Sequence, residues 1–277
     1  MRYILTGHRG LIGEYLKRRL DKENECVMNI DARTGFNILD LDSLWLNPDT
    51  QHTDILIHTA AHCKINQGIE HPELPHLNNA DGTHKVLEFV RKNDIKKFIF
   101  FSSSRVLSPE ENPYTASKKY GELLTKAYAQ CYGLDARVIR PSTVYGPCHD
   151  ITSRLMTDWC QAALKDEELP IYGDKNKTLD FTYVDDFVDG VMLILNNWEK
   201  TDMDYNISGA REVNLKYLAD LIIKEAGGGY VNFYEPEVAQ PQRVRVNTFK
   251  MRMLGYNPKV SIEEGVKRMI NYYRENE

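Results

Sequence analysis

The sequence has little of what would take it outside the ordinary globular enzymes. Its 277 residues carry 35 Lys and Arg against 40 Asp and Glu, a net charge of −5, so no surplus of cations exists to neutralise a phosphate backbone or an anionic bilayer. Nucleic acid and membrane surfaces are therefore not expected partners. No apolar run approaches the roughly 20 residues that span a membrane. The opening MRYILTGHRG passes straight into a strand-like run, so a leader peptide is not expected. Five cysteines (Cys26, Cys63, Cys131, Cys148 and Cys160) are odd in number, scattered and without a CxxC pair, which disfavours a disulfide framework. A reduced, cytoplasmic setting is expected. His58 and His62 span a strand end and a loop rather than one helix face, so no metal site is expected. There is no internal repeat, low-complexity tract or Gly/Ser linker.

What is present alternates in period. Arg2–Thr6, Cys26–Asp31, Asp54–Thr59, Lys97–Ser102 and Asp135–Arg140 read as strands, separated by enough chain for crossover helices. Runs such as Ile55-Leu56-Ile57 and Phe98-Ile99-Phe100-Phe101 are continuously apolar, as strands covered on both faces should be. The expected class is α/β, a Rossmann-type doubly wound parallel sheet with a smaller mixed α/β C-terminal lobe. Residues 1–150 read as the dinucleotide-binding domain, with 178–200 returning to it. Residues 151–277 read as mainly a substrate lobe. Within them lie a helical stretch at Thr152–Leu164, strand-like runs at Pro170–Tyr172 and Thr178–Val184, and a helix from Asp185 to Asn196.

Gly7, Gly10 and Gly13 form a GxxGxxG directly after the first strand, and Glu14–Leu20 is helical in character. One glycine takes a tight turn, another lets a pyrophosphate approach backbone N–H groups, and the third permits close helix–strand packing. Arg9, Leu11 and Ile12 complete the turn. The second strand ends at Asp31, 18 residues beyond Gly13, where a carboxylate can accept from both adenosine ribose hydroxyls and repel a 2′-phosphate. NAD is thus favoured. Arg9 inside the glycine turn and Arg33, just past the acid after Ala32, could pair with a 2′-phosphate and leave NADP open.

Tyr114 and Lys118 stand four apart where a helix is expected to begin, so both leave one face about 6 Å apart along its axis. The spacing is common by chance; its place just after the strand-end run Ser102-Ser103-Ser104 gives it weight. A tyrosine moving a proton at neutral pH needs its pKa of about 10 lowered by roughly 3, worth about 4 kcal/mol. A neighbouring ammonium supplies much of that, and a serine hydroxyl can hold the substrate oxygen.

The glycine turn, the strand-end serine, Tyr114-Thr115-Ala116-Ser117-Lys118 and Arg140-Pro141-Ser142-Thr143-Val144-Tyr145-Gly146-Pro147 together resemble the extended short-chain dehydrogenase/reductases, which include NAD-dependent sugar epimerases and dehydratases. The likeness continues through Asn79–Thr83, Ile171–Asp174, Asp180–Asp186 and Leu254–Pro258 and covers essentially the whole chain. It implies Tyr114 as general base, Lys118 as its electrostatic partner and ribose ligand, and Ser103 as the hydroxyl-binding residue, with Ser104 the second choice. It also implies Asp40 and Leu41 near adenine, and Thr59, Ala60 and Ala61 along the pyrophosphate or nicotinamide side. A homodimer formed through helices near Ala80–Arg91 and Lys119–Tyr132 is expected on the same ground.

Departures from the family pattern narrow the reaction. Dehydratases resemble one another in an Asp-Glu pair directly after the hydroxyl-binding residue; here Ser104 and Arg105 stand there, and a 4,6-dehydratase is disfavoured. The turn Gly7-His8-Arg9-Gly10 is similar to that of GDP-fucose synthases, which use NADPH and a cysteine whose place Arg105 takes. An NAD-dependent sugar-nucleotide epimerase working at C4 through a transient ketone needs the fewest groups. An NAD(P)H-dependent keto-sugar reductase is the alternative, and a non-catalytic dinucleotide-binding module ranks below both. The arginine that often clamps a substrate diphosphate is Leu179, the asparagine of NxYGP is Thr143, and a later Arg-Pro-Gly-Asp-like segment reads Gln240-Pro241-Gln242-Arg243. Arg243 and Arg245 remain as candidate phosphate ligands for a nucleotide-sugar substrate. Asp185 and Asp186 read as helix caps, and His149 as a loop residue.

Overall fold

The apolar runs become strands at nearly the boundaries their patterns suggest. A computed structural model describes residues 1–43, 52–148, 154–209, 211–240 and 243–276. In chain order the first part holds β1 (Arg2–Thr6), α1 (Leu11–Leu20), β2 (Glu25–Ile30), β3 (Ile55–His58), α2 (Ile65–Glu70), the single turn α3 (Glu73–Pro75), α4 (Gly82–Lys92), β4 (Lys97–Phe101), α5 (Pro113–Tyr132) and β5 (Asp135–Pro141). There follow β6 (Thr143–Tyr145), α6 (Leu155–Leu164), β7 (Glu168–Tyr172), β8 (Thr178–Tyr183), α7 (Val184–Asn196), β9 (Asp204–Ile207), β10 (Glu212–Asn214), α8 (Leu215–Ala226), β11 (Tyr230–Tyr234), α9 (Phe249–Met253) and α10 (Ile262–Asn276).

The main sheet has the order β2-β1-β3-β4-β5-β9, and β1 through β5 pair in parallel. This is the expected Rossmann-type arrangement, with the order reversing between β1 and β3. Parallel register sets Thr6 beside His58 and Phe101 beside Ile139, so the chain leaves several strands at one edge of the sheet, where ligands of such folds bind. Ile4, Leu56, Phe98 and Phe100 pack with Val86, Leu87 and Val90 of α4 into one buried core. α5 starts where Asn112 Oδ1 accepts the Thr115 N–H at 2.9 Å and Pro113 takes the first turn, which fixes the register of Tyr114 and Lys118.

The chain divides into two units, one of Met1–Val106, Glu111–Arg140 and Asn197–Tyr205, the other of Leu107–Glu110, Pro141–Asn196 and Asn206–Glu277. This differs from a boundary at 150 with 178–200 returned to the first domain. β8 is bound between β6 and β10 in a three-stranded sheet, and those pairings keep Thr178–Tyr183 in the second unit. What returns is 197–205: the Arg137 guanidinium lies 4.3 Å from the Trp198 ring centroid, and Trp198 Nε1 donates to Asp135 Oδ2 at 2.6 Å. The second unit also contains the parallel pair β11-β7. Its Asp186 lies in the first turn of α7. It accepts from the N–H groups of Lys259 and Val260 at 2.9 and 2.8 Å, tethering the approach to α10.

Candidate active site

The glycine turn after β1 is built by close backbone approach. Gly7 has φ +74°, its N–H donates to the Ile30 carbonyl at 2.7 Å, and Gly10 N–H donates to the Gly7 carbonyl at 3.1 Å. A Cβ on Gly7 would lie 2.6 Å from Ala60 N, and one on Gly13 only 2.1 Å from the Gly7 oxygen. Gly10 caps α1 without a side chain, so nothing of its own covers the first-turn N–H groups of Leu11, Ile12 and Gly13, where the helix dipole favours an anion. Thr59 Oγ1 donates to the Thr6 carbonyl at 2.6 Å and Ala60 N–H to Thr6 Oγ1 at 3.1 Å, which holds 59–61 against the turn.

His58 braces this arrangement. Its Nδ1 lies 2.8 Å from Thr6 Oγ1 and its Nε2 3.2 Å from Thr83 Oγ1. Burial, with the Lys118 charge adding to it, pushes its pKa down to about 3, so the ring is neutral at ordinary pH. His62 Nε2 is 3.1 Å from the Lys64 carbonyl oxygen. Among the described residues no group of three metal-ligating side chains occurs, and no helix is long and apolar enough to cross a membrane.

Asp31 sits at the end of β2 with both oxygens engaged. Oδ2 accepts from Arg9 N–H and Arg33 Nη2 at 2.9 and 3.1 Å, and Oδ1 from Arg33 N–H and Nε, each at 3.0 Å. Burial alone would raise its pKa, but the Arg33 side chain and the two backbone N–H groups outweigh it and hold the carboxyl below its usual value. Asp31 therefore stays ionised, and a ribose diol would compete with the Arg33 guanidinium for its lone pairs. Asp31→Ala is expected to weaken NAD at least tenfold and, by freeing Arg33 for a 2′-phosphate, to move preference toward NADP. Titration of both dinucleotides against the variant checks this; an equal loss for the two would count against the ribose contact.

Asp40 is exposed on a 3-10 turn, Ile38–Ser43, and Ala32 is exposed at the start of another. The side chain of Leu41 is buried in the sheet core with Ile38, so only its backbone is left to meet a cofactor.

Ser103 and Ser104, just past β4, are buried, and Ser103 Oγ accepts the Arg105 N–H at 3.2 Å. Tyr114 and Lys118 lie on one face of α5, 8% and 4% exposed. Lys118 Nζ donates to the Phe101 carbonyl at 2.9 Å and stands 5.3 Å from the Phe100 ring centroid. Burial brings its pKa down to about 8, low enough for its charge to be adjustable.

Sequence reasoning gave no role to two further residues. Asn79 occupies a π-helical turn, His76–Asp81, a geometry often found at functional sites. Its amide nitrogen donates to the His62 carbonyl at 3.0 Å and to Ser117 Oγ at 2.9 Å, and its oxygen accepts the His62 N–H at 2.7 Å. It thereby joins the loop after β3 to the helix carrying Tyr114. Glu122, four residues after Lys118, is buried and accepts from Ser102 Oγ at 2.6 Å. The period of Tyr114 and Lys118 along α5 was the available signal for it.

The remaining candidates lie in the second unit. Thr143 opens β6 opposite Phe181. Leu179 is buried on β8 opposite Val213, an apolar core position. Arg243 Nε donates to Glu212 Oε2 at 2.6 Å on the exterior, so its charge is already paired. His149 lies outside the described residues.

Over residues 3–208 the sequence matches the NAD dependent epimerase/dehydratase family. The chain belongs to that family. It is 27% identical to a UDP-glucuronate 4-epimerase of Thermodesulfobacterium geofontis, over 99% of this chain and 96% of that protein. Among solved structures, the UDP-glucuronic acid 4-epimerase of Bacillus cereus, in complex with UDP-glucuronic acid and NAD, superposes with a TM-score of 0.86 at 25% identity and 100% coverage of both chains. The dTDP-glucose 4,6-dehydratase DesIV of Streptomyces venezuelae shares the fold, with a TM-score of 0.89 at 24% identity over 100% of this chain and 98% of that one. As a member of the epimerase/dehydratase family the chain is an NAD-dependent enzyme. The close-packed glycine turn, the bare helix start and the ionised Asp31 fit that dinucleotide.

Proposed function

We propose that the chain is a sugar-nucleotide 4-epimerase in which Tyr114 is the base. The observation that carries this is a buried lysine one turn after a buried tyrosine on α5, with the lysine Nζ on the Phe101 carbonyl, two residues before Ser103. The 4-epimerase relatives support it. The turn of Gly7, Gly10 and Gly13, with Asp31, would hold NAD, which when bound supplies a hydride acceptor and donor. Tyr114 takes the proton of the substrate's C4 hydroxyl as that carbon is oxidised, and gives it back when the ketone is reduced on its other face. The Lys118 ammonium stabilises the tyrosinate, and Ser103 holds the reacting oxygen by a hydrogen bond. Ser104 and Arg105 carry no carboxylic acid for eliminating a neighbouring hydroxyl, which disfavours a dehydratase.

The test is to incubate the purified protein and its released, identified dinucleotide with UDP-glucose, UDP-glucuronic acid, UDP-N-acetylglucosamine and dTDP-glucose. A C4 isomer formed without net NADH supports the reading. Stoichiometric oxidation of added NADH or NADPH by a keto-sugar would replace it with a reductase, and no response to any of these would leave a different substrate class.

The partner on this reading is a second copy of the chain. Tyr120, Leu123 and Tyr132 are 45%, 67% and 59% exposed along α5, more apolar surface than a solvent-facing helix ordinarily presents. The setting proposed is the cytoplasm, where the five free thiols stay reduced. Light scattering should give twice the chain mass, reverting to the single mass in Leu123→Glu.

A further inference from the structure

We propose that Glu122, clamped by Arg140, which Asp204 holds in turn, is a positioning residue that keeps the Lys118 ammonium charged beside Tyr114. This rests on the role given above to Lys118 and adds the groups that control it. Tyr114, Lys118 and Glu122 recur at four-residue intervals on α5 and so share one face. Behind Lys118 runs a line of alternating charge. The Arg140 guanidinium grips Glu122, with Nε to Oε1 at 2.7 Å and Nη2 to Oε2 at 2.5 Å, and its Nη1 donates to Asp204 Oδ2 at 2.8 Å. Ser102 Oγ, on the residue after β4, also donates to Glu122 Oε1 at 2.6 Å. The order is therefore Lys118 positive, Glu122 negative, Arg140 positive, Asp204 negative, running from the buried site to a half-exposed strand end.

Each member has a physical task. A buried ammonium is costly without a nearby anion, and among the described residues the other groups acting on Lys118 carry no fixed negative charge. α5 carries Tyr114 on the same face, four residues before Lys118, and β4 contributes the Phe101 carbonyl and the Phe100 ring. β3 contributes His58, which is neutral, and the loop after it the Cys63 thiol. Burial lowers the Lys118 pKa, while Cys63 and Glu122 pull it back upward. Arg140 alone would cancel Glu122; Asp204 offsets Arg140 and leaves the Glu122 charge effective toward the lysine. Removing the Glu122 charge leaves two cations, Lys118 and Arg140, with the Asp204 carboxylate held on Arg140 rather than on the lysine's helix.

The test titrates Lys118 directly in the full-length protein labelled with 13C-lysine, its signal assigned by loss in Lys118→Met. The native midpoint is expected near 8. In Glu122→Gln it should fall by about one unit or more, and in Asp204→Asn by less but in the same direction. A folded Glu122→Gln with an unmoved midpoint overturns the proposal, even if its melting temperature drops, because a purely structural role predicts that outcome. Should Glu122→Gln not fold, Asp204→Asn decides: a lowered midpoint supports the proposal and an unchanged one overturns it. The high-pH limb of turnover should follow the lysine midpoint downward. If the midpoint moves and that limb does not, Glu122 does control Lys118, and it is the assistance of Tyr114 by Lys118 that fails.

Discussion

Tyr114→Phe is expected to lower turnover at least about a thousandfold, a loss of roughly 4 kcal/mol of transition-state stabilisation, while bound NAD and the melting temperature stay close to those of the native chain. The ring keeps its buried place on α5, so packing is preserved and only the hydroxyl is lost. On the proposed mechanism Ser103 and Lys118 remain to hold the substrate oxygen and a positive field, but neither replaces the group that moves the proton. The assay is single-turnover formation of the C4 isomer, with the dinucleotide content of native and variant protein measured in parallel. Turnover within tenfold of native would remove Tyr114 from the role of base. Loss of the dinucleotide together with turnover would instead assign the tyrosine to cofactor retention.

Gly13→Ala should fail in a different way. The added methyl group would stand 2.1 Å from the Gly7 carbonyl oxygen and 2.8 Å from His8 Cα, both backbone atoms that no side-chain rotation can withdraw. The turn must move away from α1, at a cost of about 3 kcal/mol, which corresponds to a melting temperature lower by roughly 6–12 °C in a chain of this size. Displacing the turn also misaligns the first-turn N–H groups of α1 from an incoming pyrophosphate, so NAD affinity should fall at least tenfold along with stability. Scanning calorimetry with and without NAD separates the two effects. A variant that melts and binds NAD like the native chain would show that the close approach of α1 to the turn is not required.

These two substitutions touch residues that were legible in the sequence for different reasons. Gly13 is marked by its spacing from Gly7 and Gly10 after a strand, because the turn between a strand and a helix is a local structure whose backbone demands are written in neighbouring residues. Tyr114 and Lys118 are marked by a helix register that Asn112 and Pro113 start, again a local matter. The strands were legible because burial on both faces requires continuous apolar runs, and β1 begins and ends where its run does. The region after residue 140 was less legible. β6 and β10 are three residues each, too short to show a period, and they are strands because β8 lies between them. That pairing, absent from any local signal, is also why residues 178–196 belong to the second unit.

Asn79 and Glu122 mark the same division inside the site. Asn79 lies 38 positions from the Ser117 it contacts, and the π-helical turn that aims it has no sequence pattern of its own. Arg140 reaches back 18 positions to Glu122 and forward 64 to Asp204. The paired charge of Arg243 is another such case, since Glu212 is brought to it only by the folded second unit. The sequence by itself determined the class of sheet, the glycine turn after β1, the acidic end of β2 and the Tyr–Lys face of α5, because each depends on residues within one element or the turn next to it. Only the tertiary structure decided how the units divide, what braces the loop after β3 and which charges surround Lys118. Those depend on long-range contacts, whose partners are chosen by the packing of separate elements rather than by their spacing along the chain.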